Sequence, residues 1–185
     1  VGSEMCIRDR NWGCHILDIP FTALNLDYPT RAGADGPEPH AEMTTKAMHS
    51  WFDFPARDGR KALKLHWYQA DGGPQILKDL GLSNGGKNNL FIGTKGMLLC
   101  GFDERELLQQ NADGKWETKL THNDSMEFDV PEQTVPDSPG FHEEFLQAAK
   151  GGTTAPTCNF AYSGPLTETV LLGNVAYRSK TEFDW

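Results

Sequence analysis

One short turn constrains the fold of this chain more than any other feature. Over Leu63–Tyr68, Leu63, Leu65 and Trp67 alternate with Lys64, His66 and Tyr68. That period of two gives a strand one buried face and one polar or interface face. Upstream, Glu42–Phe54 carries Met43, Ala47, Met48, Trp51, Phe52 and Phe54 and stops at Pro55. Its aromatic content favours a strand as well. Between them lies Ala56–Lys61, with Asp58-Gly59 at its centre, the composition of a hairpin turn. Strands joined by so short a turn must run antiparallel. A second hairpin follows, because Leu90–Ile92 and Met97–Leu99 flank Gly93-Thr94-Lys95-Gly96.

The remaining segments supply helices and connections. Cys14, Ile16, Leu17, Phe21, Ala23 and Leu24 predict a helix over Cys14–Leu26, kinked or restarted near Pro20. Pro29–His40, rich in Gly, Pro, Ala and Asp, reads as a surface loop, and Asp71–Asn89, with two glycine pairs, as another. Asp103–Asp137 is polar and weakly periodic, and predicts an irregular connection with little core. Ser138-Pro139 is a cap followed by a first helical proline. Phe141, Phe145, Ala148 and Ala149 then share one face before Gly151-Gly152 ends the helix. A last helix is predicted from Pro165-Leu166, with Leu166, Val170, Gly173 and Tyr177 in one stripe widened by Leu171 and Val175. Lys180–Trp185 reads as a final strand. Helices and strands do not alternate, so parallel crossovers are not supported. The expected fold is α+β: an open, mostly antiparallel β-sheet with helices on one face.

Charge and composition narrow the partners. The 185 residues suit about one domain. With 17 Lys and Arg against 26 Asp and Glu, the formal charge is -9, and nothing supplies the field a nucleic acid needs. No apolar run approaches the ~18 residues of a membrane span. Cys6, Cys14, Cys100 and Cys158 are dispersed without a C-x-x-C pair, so no zinc or other metal site is expected. Residues 1–10 read neither as a signal peptide nor as a helix with an apolar face. They resemble translated sequencing-adapter sequence and are set aside, leaving residues 11–185 as the expected domain.

The strongest chemical feature is Asn11-Trp12-Gly13-Cys14-His15-Ile16-Leu17-Asp18. His15 and Asp18 stand at i, i+3 and so share one helix face. Histidine is the natural base near neutral pH, and a neighbouring carboxylate can orient it. Other motifs carry less. His142-Glu143-Glu144 lacks the second histidine of a zincin and suits a charged first helical turn. No glycine-rich dinucleotide loop, P-loop or G-x-S-x-G nucleophile motif is present. The strand face of Lys64, His66 and Tyr68 suits stacking on a sugar, pairing with another copy, or plain exposure to solvent.

Six pieces in order carry a family resemblance: Gly13-Cys14-His15-Ile16-Leu17-Asp18, Phe54-Pro55-Ala56-Arg57, Leu63-Lys64-Leu65-His66-Trp67-Tyr68, Phe91-Ile92-Gly93-Thr94-Lys95-Gly96, Tyr162-Ser163-Gly164-Pro165-Leu166-Thr167-Glu168 and Val170-Leu171-Leu172-Gly173-Asn174-Val175-Ala176. Together they resemble the C-terminal domain of Gfo/Idh/MocA oxidoreductases of the bacterial branch. The resemblance implies a two-domain enzyme. Its N-terminal Rossmann domain would hold NAD or NADP and supply a catalytic lysine. Its C-terminal domain, represented here, would bind a sugar or polyol and form homo-oligomers through the open sheet. His15 takes the position of the family's proton acceptor, and Asn11 the position of its aspartate. Asn11 can hydrogen-bond a hydroxyl but carries no charge. Asp18 and Trp12 fall where substrate contacts or an orienting acid are implied. On this resemblance the chain alone is expected to be inactive. Two further readings stay open: a glycosidase of the same superfamily that uses bound NAD, and a non-catalytic carbohydrate-binding or scaffold protein, suggested by Asn11. A cytoplasmic or an exported location fits equally.

Overall fold

The computed structural model describes residues 2–43, 45–69, 73–82, 86–121, 135 and 137–185, with side chains from Trp12 onward. Its elements are α1 (Gly2–Ala23), β1 (Arg31–Asp35), β2 (Met48–Phe54), β3 (Leu63–Gln69), α2 (Gln75–Asp79), β4 (Asn89–Ile92), β5 (Met97–Cys100), β6 (Arg105–Gln110), β7 (Trp116–Thr121), α3 (Phe141–Ala149), α4 (Phe160–Ser179) and β8 (Phe183–Asp184). The fold is α+β, and the strands form two four-stranded sheets, ordered β3-β2-β1-β8 and β4-β5-β6-β7. Every strand pairing in both is antiparallel.

The first sheet is built on the hairpin that the sequence predicts. Asp58 and Gly59 take positive φ, 48° and 81°, the conformation a tight hairpin turn requires. Along β2, Met48, Ser50, Phe52 and Phe54 are buried while His49, Trp51 and Asp53 lie on the other face. The buried row meets Leu17 and Phe21 of α1 and Leu166 and Leu172 of α4 in one core. Phe21 meets Phe54 edge to face at 5.8 Å. Burial of such side chains stabilises by about 1.5–3 kcal/mol each. The helices sit close because small residues line their contacts. A Cβ on Gly173 would lie 3.0 Å from Ser50 Oγ and 3.1 Å from Phe52 Cζ.

Several segments differ from the sequence reading. Pro29–His40, expected as a loop, contains β1, whose Ala32 is fully buried and whose Gly33 lies beneath the Trp51 indole. Asp71–Asn89 contains the short helix α2, whose Ile76 and Leu77, with Leu80 at its C-cap, pack against the second core of Met97, Leu99 and Leu108. Asp103–Asp137, expected to be irregular, contains β6 and β7; residues 122–134 and 136 lie outside the described residues. A register shift between Leu107 and Leu108 breaks the alternation there. The last helix starts at Phe160 rather than near Pro165, because the Asn159 side chain caps it by accepting the Tyr162 N–H at 3.1 Å. Helix α3 starts at Phe141 with Gly140 at its cap and no side-chain cap, two residues later than the Ser138 cap and first-turn Pro139 expected; Ser138 instead accepts the Gly140 N–H ahead of the helix, and the Phe141 and Phe145 side chains are exposed. The backbone of α1 runs back to Gly2, through the stretch set aside above. Among the described residues no helix is long and apolar enough to cross a membrane.

Candidate functional site

Helix α1 divides its side chains cleanly. Gly13, Leu17, Pro20 and Phe21 are buried against the sheet and α4, whereas Trp12, His15, Asp18 and Thr22 are exposed. This is the split that helical spacing imposes. Trp12 keeps about half of its surface in water, at 49%. The Asn11 side chain lies outside the described residues. His15 and Asp18 do share a face, yet the structure gives Asp18 a different partner.

That partner is Tyr162, in the first turn of α4. Its hydroxyl donates to Asp18 Oδ1 at 2.5 Å and lies 2.8 Å from Thr22 Oγ1. A phenol has one proton, so with the carboxylate accepting it, the Thr22 hydroxyl donates to Tyr162. Burial of the phenol, reinforced by the Asp18 hydrogen bond, pushes its pKa up to about 12. Burial likewise raises Cys14, against the opposing hydrogen bond of Thr167. Both groups therefore stay neutral near pH 7 and hold position. His15 is left exposed, with no hydrogen bond or ion pair found among the described residues. Tyr162 has no role legible in the sequence, because nothing local ties it to a residue 144 positions earlier. Its one sequence signal is membership of the Tyr162–Glu168 piece.

Behind this face, a crevice between α1, α4 and the first sheet is lined by Gly13, Ser50, Phe52, Trp67, Val170 and Asn174. It has room for about one water molecule, so no sugar is enclosed there. A ligand of His15 would instead lie on the exposed side of α1.

The face of the first sheet away from the helices carries Lys64, His66 and Tyr68 with His49 and Trp51. Trp51 lies flat over Gly33, where a Cβ would come within 2.4 Å of the indole. Its Nε1–H donates to Glu182 at 2.6 Å, and Glu182 pairs with Arg31. Lys64 pairs with Asp53 at 3.1 Å.

No family model and no curated protein matches this sequence. Among solved structures, the chain is similar to an NAD-binding protein from Listeria innocua, at 11% identity with a TM-score of 0.55. The likeness covers 94% of this chain and 50% of that one, so this chain spans about half the length of that protein. At this identity the shared property is the fold.

Proposed function

We propose that this chain is the substrate-binding and oligomerisation domain of an NAD(P)-dependent sugar or polyol oxidoreductase of the Gfo/Idh/MocA type. The observation that carries the reading is the exposed His15, without a partner among the described residues, beside the fixed Asp18–Tyr162–Thr22 network. The six resembling pieces and the fold shared with half of an NAD-binding protein support it.

The residues described do not fit a dinucleotide. Such a cofactor lies at the carboxyl ends of parallel strands, beside a glycine-rich turn that opens a helix. Both sheets here are antiparallel throughout. NAD or NADP would therefore be held by a separate domain, and this chain handles the proton. His15 accepts the proton of the hydroxyl being oxidised. Trp12 offers a ring face for a sugar, and Asn11 a hydrogen bond to a neighbouring hydroxyl. Asp18, engaged by Tyr162, positions the helix rather than taking the proton. The helix-free face of the first sheet pairs with a second copy.

The test is made on the longer protein encoded around this chain. Sugars and inositols are screened for reduction of added NAD or NADP, and His15→Ala is expected to lower kcat by about 10²-fold or more. An unchanged rate overturns the assignment of His15. Failure to reduce cofactor across the panel, with NAD co-purifying, moves the reading to the bound-cofactor glycosidase. This chain alone is expected to bind no NAD by calorimetry, and micromolar affinity overturns the two-domain reading.

A further inference from the structure

On the helix-free face of the first sheet, Nε2 of His49 lies 2.9 Å from Nδ1 of His66. The ring centroids are 5.2 Å apart and the planes differ by 15°, so the rings meet edge to edge through one N–H···N hydrogen bond. Register produces this: Trp51 opposes His66 and Tyr68 opposes His49, so the histidines are diagonal neighbours on one face. Tyr68 stacks on His49 at 4.4 Å and 7°, which fixes that ring. On the outer side of His49, Asp35 Oδ1 lies 3.7 Å from Nδ1. The other charged groups on this face are Arg31 from β1, Asp53 from β2, Lys64 from β3, and Glu182 and Asp184 at β8. Arg31 pairs with Glu182 and Asp184, and Lys64 with Asp53.

We propose that the His49–His66 hydrogen bond is a proton-operated switch on association through this face, intact between two copies near neutral pH and broken when the pair takes up a second added proton. The proposal rests on the reading above that this face pairs with a second copy. Trp51 and Tyr68 beside charges of both signs suit such a self-complementary contact. The four ring nitrogens of the neutral pair carry two protons, one within the bond and one on an outer nitrogen. A first added proton takes the bare outer nitrogen and leaves the bond intact, and Asp35 stands beside the outer nitrogen of His49 to balance the charge. A second added proton can enter only the bond itself. Two N–H groups then face each other at 2.9 Å, and both rings are cationic. Partial desolvation, then His49 and Lys64, lower the pKa of His66 against the weaker pull of Asp53, which is already paired. In the free chain the exposed His66 can turn to water and carry that proton. Beneath a second copy it would be a desolvated cation without an acceptor, which is costly. The associated form therefore binds fewer protons than the free one, and association weakens as pH falls. A two-fold contact contains the pair twice, so the dependence is steep.

The whole chain is sedimented over a concentration series at about pH 7.5 and at about pH 5.0, or the lowest pH at which circular dichroism shows it folded. The dissociation constant is expected to rise by about tenfold or more on acidification. His66→Gln keeps a neutral hydrogen-bonding group without the titration, so its constant should change by less than about threefold. His142→Gln should behave as wild type. Lys64→Glu, at an exposed position, sets two acids opposite each other and should weaken association by about tenfold near neutral pH. A chain that is monomeric near neutral pH, or association that Lys64→Glu does not weaken, overturns the reading of this face and the switch with it. Association that Lys64→Glu weakens but pH does not, or that stays acid-sensitive in His66→Gln, overturns the switch alone.

Discussion

Tyr162→Phe removes one oxygen and tests the joint between α1 and α4. In the intact protein that oxygen donates to Asp18 at 2.5 Å and takes a hydrogen bond from Thr22 at 2.8 Å. A hydrogen bond to a charged group contributes about 1.5–3 kcal/mol. Asp18 and Thr22 are exposed, so water replaces the phenol at both, and the lower end, about 1.5 kcal/mol, is expected. For a domain of this size that lowers Tm by about 3–6 °C, read by calorimetry. The phenol supplies a second reading. Its folded pKa, about 12, exceeds the ordinary value of 10.0, so between these the folded chain holds a proton that the unfolded chain has lost. The stability this gives is complete below pH 10 and is lost as pH rises towards 12, with an upper limit of about 3 kcal/mol. The phenolate absorbance of wild type minus variant isolates Tyr162 from Tyr28, Tyr68 and Tyr177. A variant melting within about 1 °C of wild type, with a difference titration near 10, would refute the Asp18–Tyr162 bond.

Gly33→Ala places a Cβ 2.4 Å from the Trp51 indole, so the ring must leave and its bond to Glu182 must break. A cost of about 1–3 kcal/mol and a displaced Trp51 indole N–H resonance are expected. Leu108→Ala empties a site that is 2% exposed in the second core, and should lower the urea midpoint by an amount equivalent to about 2–5 kcal/mol. His66 has a lowered pKa, so below about pH 6.5 the unfolded chain takes up a proton before the folded one. Stability should therefore fall as pH drops through about 6.5, and His66→Gln should reduce that dependence in urea denaturation at matched pH values.

The hairpin of β2 and β3 was legible because each of its requirements is local: alternation of buried and open residues, and an Asp58-Gly59 turn able to take positive φ. Strand β1 offers no such signal. Arg31–Asp35 contains no β-branched or aromatic residue, and its small side chains matter only because α4 and Trp51 lie against them. In β6 the bulge at Leu107 and Leu108 moves the buried position out of phase, so a period-two reading finds a polar connection where a strand runs. For α4, a proline suited to a first turn outweighed the asparagine cap six residues before it.

The site divides along the same line. Placing Trp12, His15, Asp18 and Thr22 on one side of α1 needs only the helical repeat, and that arrangement was readable from sequence spacing. Spacing cannot say which of several facing groups bond to one another. The i, i+3 relation makes His15 and Asp18 natural partners, but a tyrosine from α4 reaches the carboxylate first, and its burial makes that bond stronger than an exposed histidine pair would be. The consequence is mechanistic. An acid engaged by a neutral phenol anchors the helix, while the histidine beside it has no hydrogen-bond partner among the described residues and, on the function proposed, is the group that meets the substrate. Releasing Asp18 through Tyr162→Phe should therefore change kcat of the longer protein far less than His15→Ala does. Equal losses from the two variants would instead place the carboxylate in the proton transfer itself.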